Sequence, residues 1–223
     1  MKIYQPEKGF RYNSDSLLLY DFALNSRVRG DILDIGCGSG IVGLLLARDL
    51  ESGLVGVDLQ DEMVAFARKN AGGVGIAAEF FHSDIAAFSY PKKFWLIVSN
   101  PPFYPSGGTQ SEDRSKNIAR YEENLPFEVL LGSVNAHIHN RGSFIFCFDA
   151  RALQRLMHEL ALKKFHIARM RLVHPDKTKA ARLVLIEAKK YRQGTMVVEP
   201  PLFMDDAVYL DALGKKAKTE SVK

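Results

Sequence analysis

Residues 31–48 constrain the fold most. Asp31-Ile32-Leu33-Asp34-Ile35 is a short apolar run that ends in Gly36-Cys37-Gly38-Ser39-Gly40, and Ile41-Val42-Gly43-Leu44-Leu45-Leu46-Ala47-Arg48 follows with helical character. A strand that turns through glycines straight into a helix is a unit of an open α/β sheet. The glycines permit the tight reversal and leave main-chain N–H groups open to a ligand at the helix start. The alternation continues along the chain. Strands are expected near 31–35, 54–58, 77–81, 94–99, 142–148, 165–173 and 182–188, and helices near 14–24, 41–50, 61–71, 126–139 and 151–163. Strands separated by helices call for right-handed crossovers and a mostly parallel sheet covered on both faces. The last two strands are joined only by His174-Pro175-Asp176-Lys177-Thr178, so they form an antiparallel hairpin. Phe144, Phe146 and Phe148 alternate in a buried run and belong to the core.

Composition bounds the answer separately. A chain of 223 residues with 47% hydrophobic and 25% charged residues builds one α/β domain whose core needs no staples. Residues 1–223 are therefore taken as a single domain, with 1–24 capping the ligand cleft and 211–223 a flexible basic tail. No apolar run approaches a membrane span, and Met1-Lys2-Ile3-Tyr4-Gln5-Pro6 has no signal-like apolar core. Cys37 and Cys147 fall in the loop and in a buried strand, which suits a reducing cytoplasm. The histidines show no metal-ligand spacing with them, so no metal is expected, and a monomer is favoured. There is no Gly-x-Ser-x-Gly elbow and no phosphate-binding loop with Gly-Lys, which removes acyl transfer and nucleotide hydrolysis. A net charge of +4 is mild support for an anionic partner. Its localisation says more: Arg114, Lys116 and Arg120 follow a Gly- and Ser-rich segment, and the tail holds Lys215 and Lys216. Such cations suit a phosphate backbone, and equally suit a solvated surface.

Asn100-Pro101-Pro102-Phe103 ends the apolar run Phe94-Trp95-Leu96-Ile97-Val98-Ser99. This puts Asn100 at the carboxyl edge of the sheet, where open α/β folds bind ligands. The prolines remove two N–H donors, so nearby carbonyls lack ladder partners and can face a ligand. Phe103 adds a flat face for stacking. An amide acceptor, free carbonyls and an aromatic wall are what holding a planar amino group requires. Two further acids follow apolar runs, Asp58 after Leu54-Val55-Gly56-Val57 and Asp84 after Ala77-Ala78-Glu79-Phe80-Phe81. Asp58 stands at the distance expected of a carboxylate that grips ribose hydroxyls. Gly38-Ser39-Gly40-Ile41-Val42-Gly43 also fits the dinucleotide fingerprint, which keeps a nicotinamide or flavin cofactor open. Against that, Asp34 would repel a pyrophosphate and suits a ligand with an ammonium group.

Taken together, Asp34 with Gly36-Cys37-Gly38-Ser39-Gly40, then Asp58, Asp84 and Asn100-Pro101-Pro102-Phe103, resemble the successive motifs of a Rossmann-like S-adenosylmethionine-dependent methyltransferase. The Asn-Pro-Pro-aromatic motif narrows the resemblance to enzymes that methylate planar nitrogens. The flanks Gln5 to Tyr12, Asp15 to Leu19, Arg114 to Glu122 and His174 to Lys189 are most similar to bacterial tRNA (adenine-N6)-methyltransferases acting beside the anticodon of valine tRNA. The resemblance implies a doubly wound, mostly parallel seven-stranded sheet with one antiparallel edge strand, the class I methyltransferase fold. It implies S-adenosylmethionine as cofactor, held by Asp34, Gly36, Cys37, Gly38, Gly40, Asp58, Leu59, Asp84, Ile85 and Asn100, and tRNA or another structured RNA as partner. Asn100, Pro101, Pro102 and Phe103 would then carry the chemistry, with Arg114, Lys116, Arg120, Lys215 and Lys216 on RNA. Alternatives are a protein-glutamine N5-methyltransferase, an rRNA or DNA amino-methyltransferase, a nicotinamide-binding oxidoreductase, and an RNA-binding protein without turnover. The oxidoreductase leaves Asn100 to Phe103 without a role.

Overall fold

A computed structural model describes residues 1–7, 11–26, 30–104, 117–119, 121–190, 194–217 and 220–222. A short strand β1 (Lys2–Tyr4) precedes helix α1 (Ser14–Leu24). The helix starts where it does because the Asn13 side chain accepts the backbone N–H groups of Asp15 at 3.0 Å and Ser16 at 3.4 Å. A cap of this kind satisfies donors that the first turn leaves open and is worth about 1 kcal/mol. Strands β2 (Ile32–Ile35), β3 (Leu54–Asp58), β4 (Ala78–His82), β5 (Phe94–Ser99), β6 (Ile138–Asp149), β7 (Phe165–His174) and β8 (Leu183–Lys190) follow. They alternate with α2 (Ile41–Leu50), α3 (Asp61–Val74), α4 (Phe127–His137) and α5 (Leu153–Leu162). Helix α4 ends at His137, two residues before the expected boundary, and His139 lies on β6 with its ring stacked on Trp95 at 3.8 Å.

The strands lie in the order β4, β3, β2, β5, β6, β8, β7. All neighbours from β4 to β6 run parallel, and β8 is antiparallel to both β6 and β7. The reversed strand is therefore inside the sheet and not at its edge, which corrects the expected placement. Helix α5 carries the chain past one vacant position before β7 is laid down, and the short β7–β8 turn returns β8 into that slot. Two more short strands, β9 (Val197–Val198) and β10 (Leu202–Phe203), pair with β7 in parallel and bring the sheet to nine strands among the described residues, where seven were expected. Two-residue strands carry no legible periodicity.

Alternate residues of the strands feed two cores, so the sheet is covered on both faces. Ile32, Leu54, Leu96, Val98, Ile145 and Leu185 pack under α1, α2 and α3, while Leu33, Val55, Ile97, Phe144, Phe146, Phe148 and Ile186 pack under α4 and α5. Phe144, Phe146 and Phe148 are buried as the alternation requires. Each such side chain contributes roughly 1.5–3 kcal/mol of burial. Helix α2 approaches β2 closely because position 43 has no side chain. A Cβ on Gly43 would lie 2.7 Å from the Leu54 side chain and 2.9 Å from the Asp34 carboxylate.

The tail also departs from expectation. Residues 207–217 form helix α6 (Ala207–Ala217), and β11 (Glu220–Val222) pairs in parallel with β1. Leu213 and Ala217 are buried, the Tyr209 hydroxyl donates to Asp21 at 2.9 Å, and Lys216 pairs with Asp21 at 2.6 Å. An apolar face and two polar ties to α1 order residues 211–217, which composition alone read as a flexible tail. Among the described residues no helix is long and apolar enough to cross a membrane.

Candidate active site

Strand order reverses direction between β2 and β5, because the chain builds outward from β2 to β4 and then returns to the other side of β2 at β5. The carboxyl ends flanking such a point form a crevice. Here the crevice is a cleft of about 680 Å³ bordered by Gly36, Gly38, Asp58, Leu59, Asp84, Ile85, Asn100 and Pro102. A smaller pocket of about 360 Å³ adjoins it, bordered by Tyr12, Ser16, Asp34, Cys37 and Ser39. Gly36, Gly38, Met63 and Asn100 border both.

Backbone N–H groups hold the three acids at this edge, and side chains hold the amide. The loop after β2 turns through Gly36, Gly38 and Gly40 at φ of 69°, 54° and 82°, a left-handed run that side chains disfavour. Asp58 anchors that loop: one carboxylate oxygen accepts the Gly38 N–H at 2.8 Å and the other the Gln60 N–H at 2.9 Å. Burial raises its pKa against these two bonds. Asp34 accepts the Gly43 N–H at 2.9 Å and is fully buried, which pushes its pKa up to about 7, with the charge of Asp58 adding to the effect. Asp84 turns one oxygen back to the Ala86 N–H at 2.8 Å and leaves its carboxylate exposed at the cleft. The Asn100 oxygen accepts from the Cys147 thiol at 2.9 Å, and the Asn100 nitrogen donates to the Ser16 hydroxyl at 3.1 Å.

The raised Asp34 pKa has a consequence for stability. An unfolded aspartate titrates near 3.8, and the folded one near 7. The folded protein therefore holds this proton more tightly, so the contribution is full below about pH 4 and is lost as pH rises through about 7. Urea unfolding of the ligand-free protein should show this loss between about pH 4 and pH 7. Asp34→Asn keeps an acceptor for the Gly43 N–H and should flatten that part of the profile. An identical pH profile in the variant would show that Asp34 is ionised throughout.

Of the residues named from sequence, Asp34, Gly36, Cys37, Gly38, Asp58, Leu59, Asp84, Ile85, Asn100 and Pro102 border one or both pockets. Gly40 does not, and serves as the left-handed residue before α2. Cys37 reaches only the smaller pocket; its thiol sits against Gly56. Pro101 and Phe103 do not border either pocket. Phe103 packs on Phe148 at 5.6 Å and on Tyr104 at 5.2 Å between ring centroids. Lys216 is engaged by Asp21, and Lys215 is paired with Asp211 at 2.5 Å on an exposed face. Arg114, Lys116 and Arg120 lie outside the described residues. Reading the sequence missed Gln60, Met63, Ser83, Ile118, Ala119, Asn124 and Leu125 on the cleft, and Tyr12 and Ser16 on the pocket. For Gln60 and Met63 a signal existed, since they follow the end of β3 and fall on the same sheet edge.

The methyltransferase small domain family matches residues 13–125, which hold β2 to β5 and the whole Asp34-to-Phe103 motif set. A tRNA1(Val) (adenine(37)-N6)-methyltransferase of Pedobacter heparinus is 30% identical over 174 residues, covering 77% of this chain and 74% of that one. Among solved structures, a 16S rRNA N2 methyltransferase of T. thermophilus in complex with AdoMet and guanosine aligns with a TM-score of 0.57 at 25% identity, over 81% of this chain and 44% of that one. A predicted O-methyltransferase from Agrobacterium tumefaciens aligns with a TM-score of 0.69 at 19% identity, over 94% of this chain and 99% of that one, and shares the fold. This chain belongs to the methyltransferase small domain family and is an S-adenosylmethionine-dependent enzyme.

Proposed function

We propose that the enzyme methylates the exocyclic N6 of an adenine in tRNA, the reaction for which its Pedobacter heparinus relative is named. The observation that carries this reading is the place of the Asn100 amide, which borders both the glycine-loop pocket and the larger cleft. An acceptor there reaches a substrate amine and stands beside the cofactor loop. The donor set suits the cofactor. Asp58 is a buried carboxylate that accepts N–H bonds at both oxygens and has lone pairs left for ribose hydroxyls. Asp34, near neutrality in its burial, gains from an ammonium group that favours its charged form. Asp84 is at hand for the adenine edge. Bound S-adenosylmethionine supplies a methyl group already activated by its sulfonium charge.

The chain's own work is then positioning. The lone pair of an exocyclic adenine nitrogen is delocalised into the ring, so the amine must be held as it turns pyramidal. Asn100 accepts one of its hydrogens and stabilises the positive charge that develops, and the carbonyl of Pro101, which borders neither pocket, would take the other only by turning toward the cleft. Phe103, half-buried against Phe148 next to the cleft residue Pro102, would have to turn its ring to the cleft to give the base a stacking face worth roughly 1–3 kcal/mol. The base has to leave its stack, which costs least in a single-stranded loop. The basic segment with Arg114, Lys116 and Arg120 would hold the phosphates around it. The reading needs one copy of the chain and a cytoplasmic setting, where tRNA is found.

Purified enzyme, S-adenosylmethionine and unmodified tRNA transcripts provide the test. Mass spectrometry of the digested RNA should find N6-methyladenosine in a valine tRNA loop. Transcripts that stay unmethylated, or that carry the methyl group on a base other than adenine, would overturn the assignment.

A further inference from the structure

We infer that Ser16 and Cys147 are positioning residues that clamp the Asn100 amide from both ends and fix which way its oxygen faces. The inference rests on the reading of Asn100 as the group that holds the substrate amine. Asn100 follows Ser99, which pairs with Phe146 on β6, so Cys147 lies directly alongside it across the sheet. The Cys147 thiol meets the Asn100 oxygen at 2.9 Å, and the Ser16 hydroxyl meets the nitrogen at 3.1 Å. Cys147 is wholly buried and Ser16 is 3% exposed, so water has little access to either partner.

The two partners are not equivalent. A hydroxyl accepts as readily as it donates, so Ser16 alone would satisfy the amide in either orientation. A thiol is a donor and a poor acceptor. Burial, with the Asp15 charge nearby, keeps the Cys147 proton in place. Cys147 therefore selects the oxygen, and Ser16 holds the nitrogen that remains. With one lone pair given to the thiol, the oxygen keeps a second for an amine hydrogen. A reversed amide would present its NH2 group instead, which cannot accept. Ser16 is itself held firmly. Its N–H is capped by Asn13, and the adjacent Asp15 grips Arg182 at 2.5 Å and 3.2 Å, tying α1 to the start of β8. This gives the N-terminal helix a part in the chemistry beyond covering the cleft.

Steady-state and single-turnover rates of Ser16→Ala, Cys147→Ala and Cys147→Ser on tRNA test the clamp, with melting temperature and cofactor affinity measured on the same samples. Both alanine variants should lose roughly 10- to 100-fold in kcat, as a misplaced catalytic group does, while KM for RNA and cofactor affinity hold. Cys147→Ser restores a donor whose oxygen can also accept from a reversed amide, so it should recover part of the rate and not all of it. Ser16→Ala added to Asn100→Ala should cost nothing further, since both act through one amide. Wild-type kcat in both alanine variants beside an inactive Asn100→Ala would overturn the clamp and leave amine holding intact. Equal losses in Cys147→Ser and Cys147→Ala would also overturn it, because shape and not a donor would then matter. Wild-type kcat in Asn100→Ala would overturn the reading on which the clamp rests.

Discussion

Asn100→Ala is expected to remove about 10²- to 10³-fold of the single-turnover rate while RNA and cofactor affinities stay within about twofold, the pattern of an acceptor needed only in the transition state. The ground-state amine is a weak donor with a flat nitrogen, and it loses little when the acceptor goes. As the nitrogen turns pyramidal and gains charge, its hydrogens become strong donors, and the missing oxygen is felt there. The fold should tolerate the change. Two side-chain bonds are lost, to Cys147 and Ser16, at about 1 kcal/mol each. Phe103→Tyr should be close to neutral, since the stacking face survives, whereas Phe103→Ala should weaken both RNA binding and turnover. Its loss also strips a ring contact from Phe148 worth about 0.5–1.5 kcal/mol. A folded Asn100→Ala enzyme with the wild-type single-turnover rate would defeat amine positioning and return Asn100 to Phe103 to the role of a rigid turn.

The distribution of what sequence made legible follows from where the determining interactions lie. Seven core strands and five helices stand within a few residues of expectation, because each rests on local periodicity and on punctuation such as the glycines between β2 and α2. Pairing order is a property of the whole sheet, so the insertion of β8 between β6 and β7 left no local trace. Helix α6 was missed for the same reason. Its lysine-rich sequence reads as solvated, and its order comes from Leu213, Ala217 and the bonds of Tyr209 and Lys216 to Asp21 nearly 200 residues earlier. The acids of the site were legible because strand ends in an open α/β sheet gather at one edge, so Asp34, Asp58 and Asp84 need only follow apolar runs. Ser16 and Cys147 lie 84 and 47 residues from Asn100, and no spacing rule connects them to it.

Asp58→Ala should weaken S-adenosylmethionine binding by roughly 100-fold or more, because two charge-assisted bonds to ribose hydroxyls contribute about 1.5–3 kcal/mol each. The substitution also removes the acceptor for the Gly38 and Gln60 N–H groups, which shape the loop before any ligand arrives. Two effects are thus mixed in the alanine variant, and Asp58→Asn separates them. The asparagine keeps one oxygen for the loop and loses the charge. It should hold the melting temperature nearer to wild type while still losing most of the affinity. Titration calorimetry with S-adenosylhomocysteine, which shares the ribose and lacks the reactive methyl, reads the binding term without turnover. If both variants bind it with wild-type affinity, Asp58 is a loop anchor alone. In that event the hydroxyl grip must come from elsewhere on the cleft, where Gln60 is the nearest polar side chain in the chain after it.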